Sequence, residues 1–177
     1  MNIVVSEPGV TRINVALQSN GAVASASSSY GSDYPAAAVN DGDRKGLNWG
    51  SGGGWSDATA NAYPDWVQVQ FDGMQTIDEI DVFTLQDAYT SPAEPTESMT
   101  FGSYGITAFE VQYWDGSAWV TVPGGSVSGN NLVWRKFSFS EVSTDRIRVL
   151  ITDVLGRPRY SRVIEVEAYG SGGAPGL

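Results

Sequence analysis

Apolar and polar residues alternate with a period of two along most of this chain. Val67, Val69 and Phe71 alternate with Trp66, Gln68 and Gln70, and Phe109, Val111 and Tyr113 with Glu110 and Gln112. Ile147, Val149 and Ile151 are interleaved with Arg146, Arg148 and Leu150, and Ile164, Val166 and Ala168 with Glu165 and Glu167. This is the period of a half-buried strand. Residues 80–85, 132–139, 13–17 and 22–27 are further strand candidates. Between Trp114 and Trp119, Asp115-Gly116 predicts a tight turn, since glycine takes positive φ without a Cβ clash. No segment sustains apolar positions at helical spacing. About eight strands with Gly- and Pro-rich connections predict an all-β fold, an antiparallel sandwich or jelly roll. Two connections, 40–65 and 86–105, are long and nearly free of strand pattern, and loops of that length in a compact domain are usually functional or mobile.

Composition narrows the chemistry. The chain has 177 residues, with 41% apolar and 17% charged, enough to bury a core in one domain. We expect an N-terminal arm over 1–12, the domain over 13–170 and a flexible tail over 171–177. Absence of Cys and His removes disulfides, thiol chemistry, Cys-based zinc sites and imidazole bases. Twenty acids against ten bases give a net charge of −10, which disfavours nucleic acid and anionic membranes. The charge is uneven. Residues 1–105 hold 13 acids against Arg12, Arg44 and Lys45, whereas 106–177 hold seven of each sign. No apolar run approaches the roughly 20 residues of a membrane span, and the first residues lack the features of a secretory signal.

The order of several short segments resembles the discoidin-like (coagulation factor 5/8 type C) domains and the family 32 carbohydrate-binding modules, of galactose-binding-domain-like fold. The matching pieces are Asn14–Leu17, the Ser-rich stretch to Tyr30, Pro35, Ala38–Asp43, Trp49, Pro64–Phe71, the T-I-D-E-I-D-V-F strand, F-E-V-Q-Y-W-D-G-S-A-W, T-D-R-I-R-V-L-I-T and S-R-V-I-E-V-E-A-Y-G. They span about residues 13–170. The resemblance implies an eight-stranded jelly roll, which agrees with the strand pattern. Membrane-binding relatives are typically closed by a disulfide and carry basic, apolar loop tips. An acidic, Cys-free chain leans to the carbohydrate-binding branch. The family's Thr before the Trp is replaced here by Gly46-Leu47-Asn48.

Two sites follow. Asp41 and Asp43 in N-D-G-D are hard oxygen donors on a bent loop, the kind Ca²⁺ accepts. The resemblance implies a structural Ca²⁺ held by the Asp41 side chain, by Asp43 and Gly46 of the loop, by Glu165, and by the carbonyls of Ala38 and Ile164. The second site is a ligand surface on the long loops, where aromatic faces and planar polar groups would receive a sugar. Trp55, Asp87, Tyr89, Arg157 and Arg159 are its candidate residues; Gln86, Asn61, Tyr63, Phe101, Tyr104 and Tyr160 stand nearby in sequence. Trp49, Trp66, Trp114, Trp119 and Trp134 are expected to pack.

Catalysis has little support. Asp78, Glu79 and Asp81 read as a solvated strand edge, and no activated nucleophile emerges. The expectation is a noncatalytic, lectin-like glycan-binding module, extracellular or on a cell or virion surface, without membrane insertion. The rival expectation is a structural or adhesion subunit of a larger assembly, such as a virion-surface protein, in contact with other subunits. It is suggested by the Met start, the missing secretion signal and the apolar N-terminal arm.

Overall fold

A computed structural model of the chain describes residues 12–170. Residues 1–11 of the expected arm and the expected tail, 171–177, lie outside the described residues. Among the described residues seven strands form: β1 (Val23–Ala26), β2 (Trp55–Ser56), β3 (Asp65–Thr84), β4 (Ile106–Trp114), β5 (Trp119–Val127), β6 (Trp134–Val154) and β7 (Arg162–Tyr169). Two short 3₁₀ helices, Gln18–Asn20 and Ala36–Asn40, are the helical elements of these residues. All strand pairings are antiparallel.

The two long strands organise the fold by serving both layers of the sandwich. Residues 65–70 of β3 pair with β1 and with 146–151 of β6, which continues through β4 to β5. Residues 79–84 of β3 pair with β7 and with the start of β6, and β7 carries β2 on its other side. The register shifts between Gln70 and Gln75, around Gly73 at φ 79°. There β3 passes from one layer to the other, at a backbone conformation that favours glycine. The pattern 67–71 and the pattern 80–85 are therefore halves of one strand, as are 132–139 and 146–151. Counting those halves separately and leaving aside the two-residue β2 gives the eight strands of the jelly roll.

The alternating apolar residues meet between the layers. Val67, Val69, Val149 and Ile151 of one layer face Ile80, Val82, Val166 and Ala168 of the other, all in one buried cluster. Phe109 and Phe137 join them edge to face at 6.2 Å. Two expectations need correction. Residues 13–17 form no strand; only Asn14 bridges to Tyr169, because the Asn14 side chain accepts the Ala16 N–H and turns the chain. Nor is 78–81 a solvated edge. Arg12 pairs with Asp78 and Glu79, while Asp81 lies buried on a central strand and accepts the Trp134 indole N–H at 3.0 Å.

The strand register also sorts the connections. Residues 65, 84, 106, 154 and 162 all end strands at one pole, so 57–64, 85–105 and 155–161 crowd together there. The Asp115 turn and the Asn14–Tyr169 bridge sit at the other pole. Among the described residues no helix is long and apolar enough to cross a membrane.

Phe109 is 1% exposed and touches the opposite layer. Phe109→Ala should cost about 3–5 kcal/mol, read as a lowered urea midpoint at unchanged m-value.

Candidate functional site

Irregular backbone at the loop pole needs hydrogen-bond partners, and buried acids supply them. Asp57 is fully buried: one carboxylate oxygen accepts the Ser161 N–H at 2.6 Å and the other the Thr59 N–H at 2.7 Å. Asp57 N–H donates back to the Ser161 carbonyl, and Asn61 N–H to that of Arg159. Asp65, at the start of β3, accepts the Ser161 hydroxyl at 2.7 Å. Segments 57–61 and 159–161 are thus laced together. Burial, opposed by the Ser161 hydroxyl bond and reinforced by the charge of Asp57, leaves the Asp65 pKa pushed up to about 6.

The 86–105 loop is closed in the same manner. The buried Gln86 amide both donates to and accepts from the backbone of Ala93. Asp87 accepts the N–H groups of Gly102 and Ser103 at 3.0–3.1 Å. These two ties leave a surface depression of about 510 Å³ lined by Ser103, Tyr104, Leu155, Gly156, Arg157 and Arg159.

The expected ligand residues separate on inspection. Arg157 and Arg159 line the depression, Arg157 exposed and Arg159 paired with Asp153 at 3.0 Å. Tyr89 is half-buried and meets Tyr104 edge to face at 5.9 Å, one ring away from the depression. Asp87 stands beside it as the clamp on Gly102 and Ser103. Trp55 is a correction: it is 0% exposed, because β2 pairs with β7 and sets the ring in the core. Its indole N–H donates to the Ser28 carbonyl, and no ring face is open to a ligand.

Residues not singled out as ligands complete the pole. Arg162 stacks over Tyr104 at 4.9 Å and over Tyr160 at 5.7 Å. Tyr160 touches Tyr30, Tyr30 touches Tyr34, and Tyr34 touches Trp49, with centroids 5.1–5.6 Å apart. Tyr30 is 56% exposed. The sequence signal for this row was an aromatic pair, Tyr30 and Tyr34, inside a stretch of Ser, Gly and Asp.

The 41–47 loop packs on β7. Gly46, at φ 75°, approaches Ile164 so closely that a Cβ would lie 2.8 Å from its Cδ1. Arg44 forks onto Glu167 at 2.6 and 2.8 Å and stacks on Phe83 and Trp134. Glu165 is fully buried; one oxygen accepts the Gly42 N–H and the other, Oε2, has no hydrogen-bond partner. Burial, and then the charge of Asp41, pushes its pKa up to about 10. Asp43 spends both carboxylate oxygens on the N–H groups of Lys45 and Leu47. Ala38 is buried in the second 3₁₀ helix. Among the described residues no three acidic side chains are grouped so as to hold a metal ion by themselves. A cation here would draw on the carboxylates of Asp41 and Glu165 and on backbone carbonyls. The orphaned Glu165 oxygen fits that donor set, since a buried carboxylate needs a counter-charge or a proton.

An all-β sandwich with a loop-pole depression is thus the class of protein that the fold and site define. The F5/8 type C domain family model matches residues 23–166, and the chain belongs to that family. No curated protein matches it significantly. Several solved structures share the fold. Chitosan-binding module 1 from the chitosanase/glucanase of Paenibacillus sp. IK-5 has TM-score 0.66 and 20% identity, over 89% of this chain and 99% of that one. The family 32 module of C. perfringens NanJ, solved with galactose, has TM-score 0.61 and 20% identity, over 88% and 98%. A Streptococcus pneumoniae fucose binding module has TM-score 0.62 and 19% identity, over 89% and 95%.

Asp65 yields a test of the loop lacing. Its folded pKa lies above the ordinary 3.8, so the folded chain holds the proton longer and stability drains as pH rises from about 4 to about 6. Asp65→Asn, which carries no charge, should match the parent near pH 4 and melt progressively higher than it up to pH 6. Parallel thermal melts across that range measure the difference.

Proposed function

We propose that this chain is a noncatalytic carbohydrate-binding module that receives glycans at the loop-pole depression. The observation that carries the reading is the meeting there of Tyr104, Arg157 and Arg159, with Tyr89 against Tyr104 and Arg162 beneath it. An aromatic face suits the apolar C–H side of a pyranose, and planar guanidinium groups suit hydroxyls. Neighbours of the same fold described as chitosan-binding, fucose-binding or galactose-bound support it. In SpGH29 the matched region is 28% of a longer chain, which suits a module that serves a partner domain. Shallow sites of this kind bind at about millimolar to tens of micromolar, so useful attachment comes from several copies or a tether. A glycan-binding role suits a protein outside cells or on a surface.

A structural Ca²⁺ ion is proposed where the 41–47 loop packs on β7. Asp41 and Glu165 would hold it by side chains, with the carbonyls of Ala38, Asp43, Gly46 and Ile164 completing the shell. It would neutralise the buried Glu165 and fasten the 41–47 loop to β7.

On a glycan array the chain should bind a defined subset of sugars, and Tyr104→Ala should weaken that binding at least about tenfold. Absence of binding to every glycan, with a discrete oligomer by light scattering, would favour the structural-subunit reading. For the ion, EDTA should lower the melting temperature and added Ca²⁺ restore it. An unchanged melt with no Ca²⁺ by elemental analysis removes the ion from the account.

A further inference from the structure

Among the described residues, six of the ten basic side chains form ion pairs: Arg12, Arg44, Lys45, Lys136, Arg146 and Arg159. Two of the remaining four, Arg157 and Arg162, stand at the loop-pole depression. Arg157 lines it and is exposed. Arg162 is half-buried under it: a Cβ on the lining residue Gly156 would lie 3.2 Å from Arg162 Nη1. That nitrogen donates to the Tyr160 carbonyl at 3.1 Å, and no carboxylate lies within 4.0 Å of the guanidinium among the described residues. Two tyrosine rings flank it instead.

A desolvated guanidinium without a carboxylate is costly, and burial lowers the Arg162 pKa accordingly. It is odd in a chain where acids outnumber bases two to one. The nearby acids spend their oxygens on other donors, and Asp57 acts on Arg162 only through its charge, from beyond ion-pair distance. Asp57 accepts backbone N–H groups of Ser161 and Thr59, Asp87 those of Gly102 and Ser103, and Asp153 holds Arg159. Among the described residues, the remaining N–H donors of the Arg162 fork and all of Arg157 are left for an anion of planar or tetrahedral shape.

Resting on the glycan-binding reading above, we propose that the depression selects acidic sugars. Their anionic group would sit between Arg157 and Arg162, and the pyranose ring would lie on Tyr104. The anion is either the carboxylate of a uronic acid or a sulfate ester.

Calorimetry on the full chain separates the possibilities, with trigalacturonate, galactose-6-sulfate, galactose and chitotriose as probes. One or both acidic probes should bind at least about tenfold tighter than galactose, an advantage that shrinks as salt is raised. Whichever acid binds tighter names the source of the anion. Arg157→Gln and Arg162→Gln should each lower the acid-to-neutral affinity ratio about tenfold. Should Arg162→Gln fail a thermal melt, Arg157→Gln, at an exposed position, decides alone. Binding of galactose or chitotriose with no preference for the acids overturns the proposal and leaves the glycan-binding reading standing. An acid preference that Arg157→Gln leaves unmoved also overturns it, because the anion then binds elsewhere. Binding to none of the four sugars, or only to phosphatidylserine vesicles, removes both readings.

Discussion

The loop pole rests on one buried contact, the carboxylate of Asp57 against the backbone N–H of Ser161 at 2.6 Å. Without it, segments 57–61 and 155–161 would each carry orphaned donors into a region that water does not reach. With it, the same carboxylate holds Thr59, and the neighbouring Asp65 takes the Ser161 hydroxyl. Arg157, Arg159 and Tyr160 then project from a fixed frame, not from a free loop. The cost is visible in Asp65, whose proton is retained well above the ordinary carboxylate range. Positional order at the surface is obtained by crowding negative charge underneath it.

The 41–47 loop solves a similar problem at the sandwich flank with different parts. Arg44 neutralises Glu167 and is itself covered by Phe83 and Trp134. Glu165, two residues earlier on the same face of β7, has no such partner and keeps an oxygen unpaired. Adjacent acids on one strand thus stand in opposite conditions, one matched by a guanidinium and one pushed toward its neutral, protonated form by burial. Both fasten the same loop, so anything that satisfies Glu165 acts on a segment that Arg44 already restrains.

The architecture was legible because alternation is a local property, and Val67–Phe71 or Ile147–Ile151 show it without help from the rest of the chain. The continuity of β3 and β6 was not, since Phe71–Gln75 and Glu141–Asp145 break the alternation where the strands change layers. Arg157 and Arg159 could be placed from sequence because they follow a strand into a Gly-Pro loop. Trp55 misled for the reverse reason. It lies in a Gly- and Ser-rich stretch, and only the pairing of Trp55 with Val163 draws it inward. Tyr30, Tyr34 and Arg162 join one row through contacts between segments more than a hundred residues apart, for which a single sequence carries no signal.

The bridge between Asn14 and Tyr169 has a mechanical meaning. Chain entering the sandwich and chain leaving it pass through one spot, and β7 runs from that spot to Arg162 at the loop pole, about 23 Å for eight residues. A pull between the loop pole and the Asn14–Tyr169 end is therefore directed along β7, in shear against its neighbour β3 over six register pairs. Antiparallel ladders loaded lengthwise must break many hydrogen bonds together, whereas ladders peeled from an end break one at a time. Load along β7 thus meets the ladder with β3 in shear and not in peeling.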